Sequence, residues 1–323
     1  MKVKYSRKIM AAAIIGGLAV IYLAALMLIP PLWSGRCGDT CERHLDSIGI
    51  WPNGITLRGF SLKSGDAKTE RWELTADAIK LKPYWLKLLF GRPFFRAVQA
   101  ENLKVEFTEG DGPKAGAKES PPEFHLDSFS ASGASFSYHR AYRGRRGSLS
   151  FRDIWLEAKD LGTDAELIDR PSAVNLKAKM ENSGAVAIGL QAHFFQADPR
   201  LTMRLELKNQ NLAEVNAYFK PIDEIQLKGM LVEAATETRW MKDTLKSSVA
   251  LRFRNFGVDF QGGRERSGIA AFFGDLFGRA AFREESGARY LPGYASIERL
   301  PKESPVAFAL RGLKEAAMKA AQQ

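Results

Sequence analysis

The sequence predicts a mainly β chain: an N-terminal transmembrane helix, then an elongated, curved antiparallel β-meander with a few short helices. Three observations predict it. Residues 9–29 carry no charge and are almost wholly apolar. Most of residues 50–260 alternates apolar and polar side chains with a period of two, the signature of strands with one face buried. Short turn clusters such as Asn182-Ser183-Gly184, Asp198-Pro199 and Gly262-Gly263 separate the runs, which joins neighbours as antiparallel strands.

The apolar run comes first. Its length corresponds to about 32 Å of helix, enough for a hydrocarbon core of roughly 30 Å. Pro30 and Pro31 end it, and Trp33 suits the far interface. Lys2, Lys4, Arg7 and Lys8 precede it with no acid before residue 33, so the N-terminus is expected in the cytoplasm and residues 34–323 beyond the membrane. An A-x-A site with a polar mature start, as a cleaved signal would show, is missing. Arg36 before Cys37 stands where a lipoprotein would carry a small residue. Residues 1–33 therefore read as a basic tip and an uncleaved anchor.

Cys37 and Cys41 follow at once. In an oxidising compartment two close cysteines are expected to pair, and the spacing is reachable in a turn or helix. A metal site with His44 and a redox pair are the weaker alternatives, because redox pairs have two intervening residues and here there are three.

Residues 34–260 then read as one β domain of about twelve strands. The cleanest alternation is Leu201, Met203, Leu205 and Leu207 against Thr202, Arg204, Glu206 and Lys208; Val186, Ile188 and Leu190 behave alike. Gly59 reads as a bulge, and Ser-Ala-Ser-Gly at 130–133 as a break between two strands. Residues 108–123 hold no large apolar side chain and read as a flexible connection. Helices are expected over residues 84–90, 211–219, 269–282 and 312–323, with a strand at 306–310. Residues 261–323 read as a helical and strand segment packing on the β domain or extending it.

Composition excludes several functions. The formal charge is +10, from 47 basic and 37 acidic residues, but the part after the anchor carries only a mild surplus, so no nucleic-acid partner is expected. His44, His125, His139 and His193 are isolated, His125 and His139 reading as surface or hairpin residues, and no nucleophile elbow or H-E-x-x-H motif occurs. No cofactor, metal or catalytic residue is expected, and the chain does not read as an enzyme.

Two surface features stand out. Arg140, Arg143, Arg145 and Arg146 cluster in one turn: a solvated hairpin, or a contact for anionic head groups. Trp85, Leu86, Leu89 and Phe90 lie amid lysines and arginines: a plug at a sheet end or, with Trp33, a membrane-interface element.

The strands leave an apolar face that few helices can cover. Such a sheet can close on itself, pair with another sheet, or hold lipid.

The run Ile79-Lys-Leu-Lys-Pro-Tyr-Trp-Leu-Lys-Leu-Leu-Phe-Gly-Arg, followed by Val98-Gln-Ala-Glu-Asn-Leu-Lys-Val-Glu-Phe, resembles the AsmA-like family of Gram-negative envelope proteins. The hairpin-like stretch at 124–138, Asn211-Leu-Ala-Glu-Val-Asn-Ala-Tyr-Phe and Leu227-Lys-Gly-Met-Leu resemble later units of that family. The resemblance implies a periplasmic β-groove, open or taco-like, related to chorein-type lipid-transfer proteins and anchored in the inner membrane. It implies a phospholipid or another acyl-chain lipid as ligand, with Val186, Ile188, Leu190, Leu201, Met203, Leu205 and Leu207 lining the groove. A non-catalytic assembly or scaffold factor docking envelope proteins is the alternative. About twelve strands at ~4.8 Å give a groove of roughly 60 Å, short of joining two membranes, so a partner or a local role is implied.

Overall fold

The computed structural model describes residues 35–38, 41–66, 69–90, 92–110, 124–142, 144–163, 167, 169–193, 200–260, 291–300, 308, 311–313, 315, 316 and 319. In chain order the elements are β1 (Gly35–Gly38), β2 (Cys41–His44), β3 (Ser47–Trp51), β4 (Gly54–Asp66), β5 (Glu70–Pro83), α1 (Trp85–Leu89), β6 (Phe94–Glu101), β7 (Lys104–Glu109), β8 (His125–Tyr142), β9 (Arg145–Gly162), β10 (Ser172–Met180), β11 (Gly184–Ala192), β12 (Arg200–Asn211), α2 (Asn216–Asp223), β13 (Ile225–Met241), β14 (Thr244–Phe260) and β15 (Leu291–Glu298). The chain is mainly β. All fifteen strands belong to one sheet, whose main path runs β1-β2-β4-β5-β6-β8-β9-β10-β11-β12-β13-β14-β15.

The sheet is mixed, where the sequence predicted a purely antiparallel meander. β6 and β7 act as one interrupted strand: both pair antiparallel with β5, and both pair parallel with β8. The register is unbroken, from Phe94↔His125 to Glu109↔Arg140. A parallel neighbour requires the intervening chain to return the length of the strand before pairing again. Thr108 and Glu109, expected in the connection, belong to β7.

The strands are also longer than the sequence reading allowed. Phe129 and Phe136, read as belonging to two strands, lie in one 18-residue strand. Gly133 interrupts its register with β9 by entering the left-handed region at φ 63°, so the Ser-Gly signal is a bulge and not a turn. The irregularities line up across strands. Asn102, left-handed between β6 and β7, donates to Asp77 on β5 at 2.7 Å, and its Oδ1 lies 2.9 Å from where a side chain on Gly133 would begin. Asp153 on β9, also left-handed, pairs with Lys179 on β10 at 2.9 Å. Aligned bulges bend a sheet along a seam. Gly59 is left-handed too, but its strand keeps register on both sides, so it is not the bulge expected; the Asp46 carboxylate fills the space a Cβ would need.

α1 spans Trp85–Leu89, inside the expected 84–90. α2 begins at Asn216 and not at 211, because the Asn211 side chain accepts the Ala213 N–H and closes a turn first. Its apolar residues still pack as the spacing implied: Leu212 and Val215 are buried with Ile225, Leu227, Leu231 and Ala234, and Phe219 packs against them. Phe308, expected in a strand, is helical, as are residues 311–313, 315, 316 and 319. The strand near the C-terminus is β15, paired with β14. No helix among the described residues is long and apolar enough to cross a membrane. The expected anchor at 9–29, Trp33, most of the connection at 108–123 and the expected helix at 269–282 lie outside the described residues.

Candidate functional site: the apolar face of the sheet

Cross-strand partners point to the same side of a sheet, so the register assigns every strand residue to a face. One row runs through ten neighbouring strands: Leu57, Ile79, Ala100, Ala131, Leu156, Leu176, Ile188, Leu205, Thr236 and Val249. The next row on that face is Ile55, Leu81, Val98, Phe129, Ala158, Val174, Leu190, Met203, Thr238 and Ser247. The intervening row on the opposite face holds Lys80, Gln99, Ser130, Glu157, Asn175, Gly189, Arg204, Glu237 and Ser248. The polar face is laced with exposed ion pairs such as Lys80–Glu101 at 2.6 Å and Arg239–Glu237 at 2.6 Å. Pairs of that kind add solubility more than stability.

The seven residues assigned to a groove from the sequence come together. Val186 faces Leu207, Ile188 faces Leu205, Leu190 faces Met203, and Leu201 faces Ala192, all on the apolar side of β11 and β12. Val186 is buried and the other six are half-buried. Sequence reasoning missed that the same face continues through Leu156, Val174 and Leu176 on β9 and β10. Their alternation was visible; the register that joins them to β11 was not. Small residues form its floor: Ala100, Ala131, Ala134 and Ala178 are buried among the taller Phe129, Phe136, Phe151, Leu156 and Leu176.

One flank of this face and one end of its strands are covered. Under β13 to β15, Phe308 packs edge-on to Trp240 with ring centroids 5.5 Å apart, and Ala316 is buried with Val249 and Ala295. Thr238 and Ser247 are buried there and share a hydrogen bond at 2.9 Å. At one end of the strands α2 packs on β8, β9 and β13. The β10–β11 hairpin is short, nine residues a side, and β9 and β13 overhang it; α2 sits in that notch. A side chain on Gly147 of β9 would begin 2.8 Å from the Tyr218 carbonyl oxygen, so glycine permits the contact. Asn216 clasps the Leu227 backbone, donating to its carbonyl and accepting its N–H, both at 2.8 Å. Met180 and Leu207 join the cluster at α2 and Leu201 the cluster with Phe308; between them, among the described residues, no helix packs over Val174, Leu176, Ile188, Leu190, Met203 and Leu205.

The arginines of 140–146 do not form one patch. Arg140 and Arg145 share the apolar side with Tyr138 and Gly147, whereas Arg146, opposite Ala141, projects from the polar side. Arg145 pairs with Glu224 just after α2. Arg140 lies by Tyr218, Glu109 and Tyr138; burial works against its charge, and the Tyr218 hydroxyl and the acid outweigh it, raising its pKa. Burial and a hydrogen bond donated to Glu109 push the Tyr138 hydroxyl well above the ordinary tyrosine value. Burial, then Arg146, holds His139 below its ordinary value. The side chain of Arg143 lies outside the described residues.

At the other end, Trp85 donates its indole N–H to the Pro52 carbonyl at 2.8 Å, while Leu86 and Phe90 project into solvent. The Leu89 side chain lies outside the described residues. His125, expected at the surface, is 5% exposed: it stacks on Phe94 and meets Asp127 at 2.6 Å. Asp127 also accepts the Tyr84 hydroxyl at 2.7 Å, which raises the Tyr84 pKa and ties the stem of α1 to β8. Sequence spacing could not have joined Tyr84 to Asp127, 43 residues apart. Cys41 is disulfide-bonded; the Cys37 side chain lies outside the described residues, while its strand β1 forms a hairpin with β2. Among the described residues no three His, Cys, Asp or Glu side chains converge as metal ligands.

No protein-family model matches this chain, and no curated protein matches it.

Proposed function

We propose that the apolar face binds acyl chains, and that the protein is a membrane-anchored envelope factor that holds or passes lipid outside the cytoplasm. The observation that carries this reading is the half-buried centre of the face. Val174, Leu176, Ile188, Leu190, Met203 and Leu205 form a contiguous apolar surface across three strands, while helical residues cover the same face under β13 to β15 and α2 covers one end of the strands. An apolar area of that extent needs an occupant. The alanine floor between taller phenylalanine and leucine side chains offers a trough rather than a flat docking plane, which suits a flexible chain of methylenes. The resemblance of residues 79–107 to AsmA-like proteins supports the same reading, as does the expected anchor.

The test is face-specific crosslinking in cells. A photoreactive benzoylphenylalanine replaces Leu205 on the apolar face or Arg204 on the polar face. Lipid adducts at 205 and none at 204 are expected. Adducts to a protein at 205 without lipid would favour the docking or scaffold role.

A further inference from the structure

We propose that the corner of the sheet formed by α1 and the β3–β4 turn is a docking site for an anionic bilayer surface. Among the described residues, Phe90 is 83% exposed, Leu86 74% and Trp51 60%. The three sit on one corner. Trp51 closes the β3–β4 hairpin opposite Gly54, and Trp85, inside α1, donates to Pro52 in that same turn. Side chains of this size left in water cost solubility unless they meet an apolar phase.

The charge around them selects the phase. Residues 82–96 contain Lys82, Lys87, Arg92 and Arg96 and no acid. The Lys87 ammonium lies over the Phe94 ring and the Arg96 guanidinium over the Tyr84 ring, and the four basic groups outnumber the Asp127 carboxylate that Tyr84 meets. Projecting apolar side chains ringed by basic ones are the arrangement that seats a short helix at the headgroup boundary of acidic lipid. The corner is held rigidly enough to present them: Tyr84 is fixed by Asp127, and the Tyr84 N–H donates to the Phe94 carbonyl at 3.0 Å, closing the stem on both sides.

Docking here would set the direction of the apolar face. Leu81, Val98 and Phe129 lie on that face a few residues inside this corner, whereas α2 packs across the opposite end of the strands. A lipid leaving the bilayer at the corner meets the end of the strands away from α2. That consequence rests on the lipid-binding reading; the docking itself does not.

The experiment uses the full chain with Leu86→Cys, reconstituted in vesicles. Cys41 is disulfide-bonded, so the new thiol takes an environment-sensitive fluorophore. Acyl-chain-brominated lipids act as quenchers, in phosphatidylglycerol mixtures and in pure phosphatidylcholine. The label at 86 is expected to lose at least about half its fluorescence in the anionic vesicles and to recover in high salt, as an interfacial, charge-assisted contact requires. A label on Trp155→Cys, on the polar face, keeps its fluorescence. Adding Phe90→Glu to Leu86→Cys cuts the quenching. An unquenched label at 86, or equal quenching at 155, overturns the proposal. So does shielding at 86 that depends on a co-purified acidic protein and not on lipid. The crosslink at Leu205 is read separately, so docking and lipid binding fail independently.

Discussion

Ile188 on β11 lies directly opposite Leu205 on β12, both half-buried on the part of the face that no described helix covers. Two strands from Leu205, on β14 and two rows along the same face, Leu245 is fully buried in a cluster with Phe308. The same alternation that ends in packed core at one flank thus ends in half-buried apolar surface at the centre, where no described helix lies.

The α2 notch gives a sharp stability prediction. A Cβ at position 147 would meet the Ile222 Cγ1 at 2.6 Å and the Tyr218 carbonyl oxygen at 2.8 Å, and the carbonyl cannot swing away as a side chain tip can. Gly147→Ala is expected to cost about 1–3 kcal/mol, read as a lower denaturant midpoint with an unchanged slope. An unaltered midpoint would show that α2 does not press on β9.

Asn216 supplies two hydrogen bonds to the buried Leu227 backbone. Asn216→Ala should cost about 2 kcal/mol, at roughly 1 kcal/mol for each bond. Asn216→Asp sets a carboxylate against the Leu227 carbonyl and should be no better at neutral pH. It should gain on the alanine variant as acid protonates the carboxyl and restores a donor. Parallel pH profiles for the two variants would contradict the clasp.

The raised pKa of Tyr138 has a defined sign. The folded state holds the phenolic proton more tightly than the unfolded chain, by burial and the bond to Glu109. This contribution is whole below pH about 10 and is lost as pH rises through the folded pKa. Wild type should therefore lose stability above pH about 10 more steeply than Tyr138→Phe. Equal alkaline slopes in urea titrations would remove Tyr138 from the account.

Much of this was legible beforehand, and the failures have physical causes. Period-two alternation placed Leu201 to Leu207 on one face, because side-chain direction in a strand depends only on parity. The break read at 130–133 failed because glycine marks a bulge as readily as a turn, and only the pairing of Ala131 with Leu156 and Phe136 with Phe151 distinguishes them. The parallel pairing of β6 with β8 was hidden, since alternation carries no strand direction. The cluster of arginines at 140–146 dissolved for the same parity reason that assembled the apolar face. His125 read as exposed because its covering ring, Phe94, is set by that unseen parallel register.

The charge asymmetry around residues 9–29 predicts topology. A reporter that functions only in the periplasm should be active when fused after Gln323, with residues before Ile9 shielded from periplasmic labelling. Labelling of Lys2 from the periplasmic side would reverse the assignment.

The measurement closest to the central claim is the lipid carried by the full-length protein, extracted and weighed by mass spectrometry, for wild type and for Ile188→Asp with Met203→Asp. Both substitutions place a carboxylate on half-buried positions of the open face, and circular dichroism checks that the sheet persists. Wild type should carry lipid beyond that of an unrelated anchored protein in the same detergent, and the double variant should lose most of it. A folded double variant with the wild-type load would contradict lipid binding by this face.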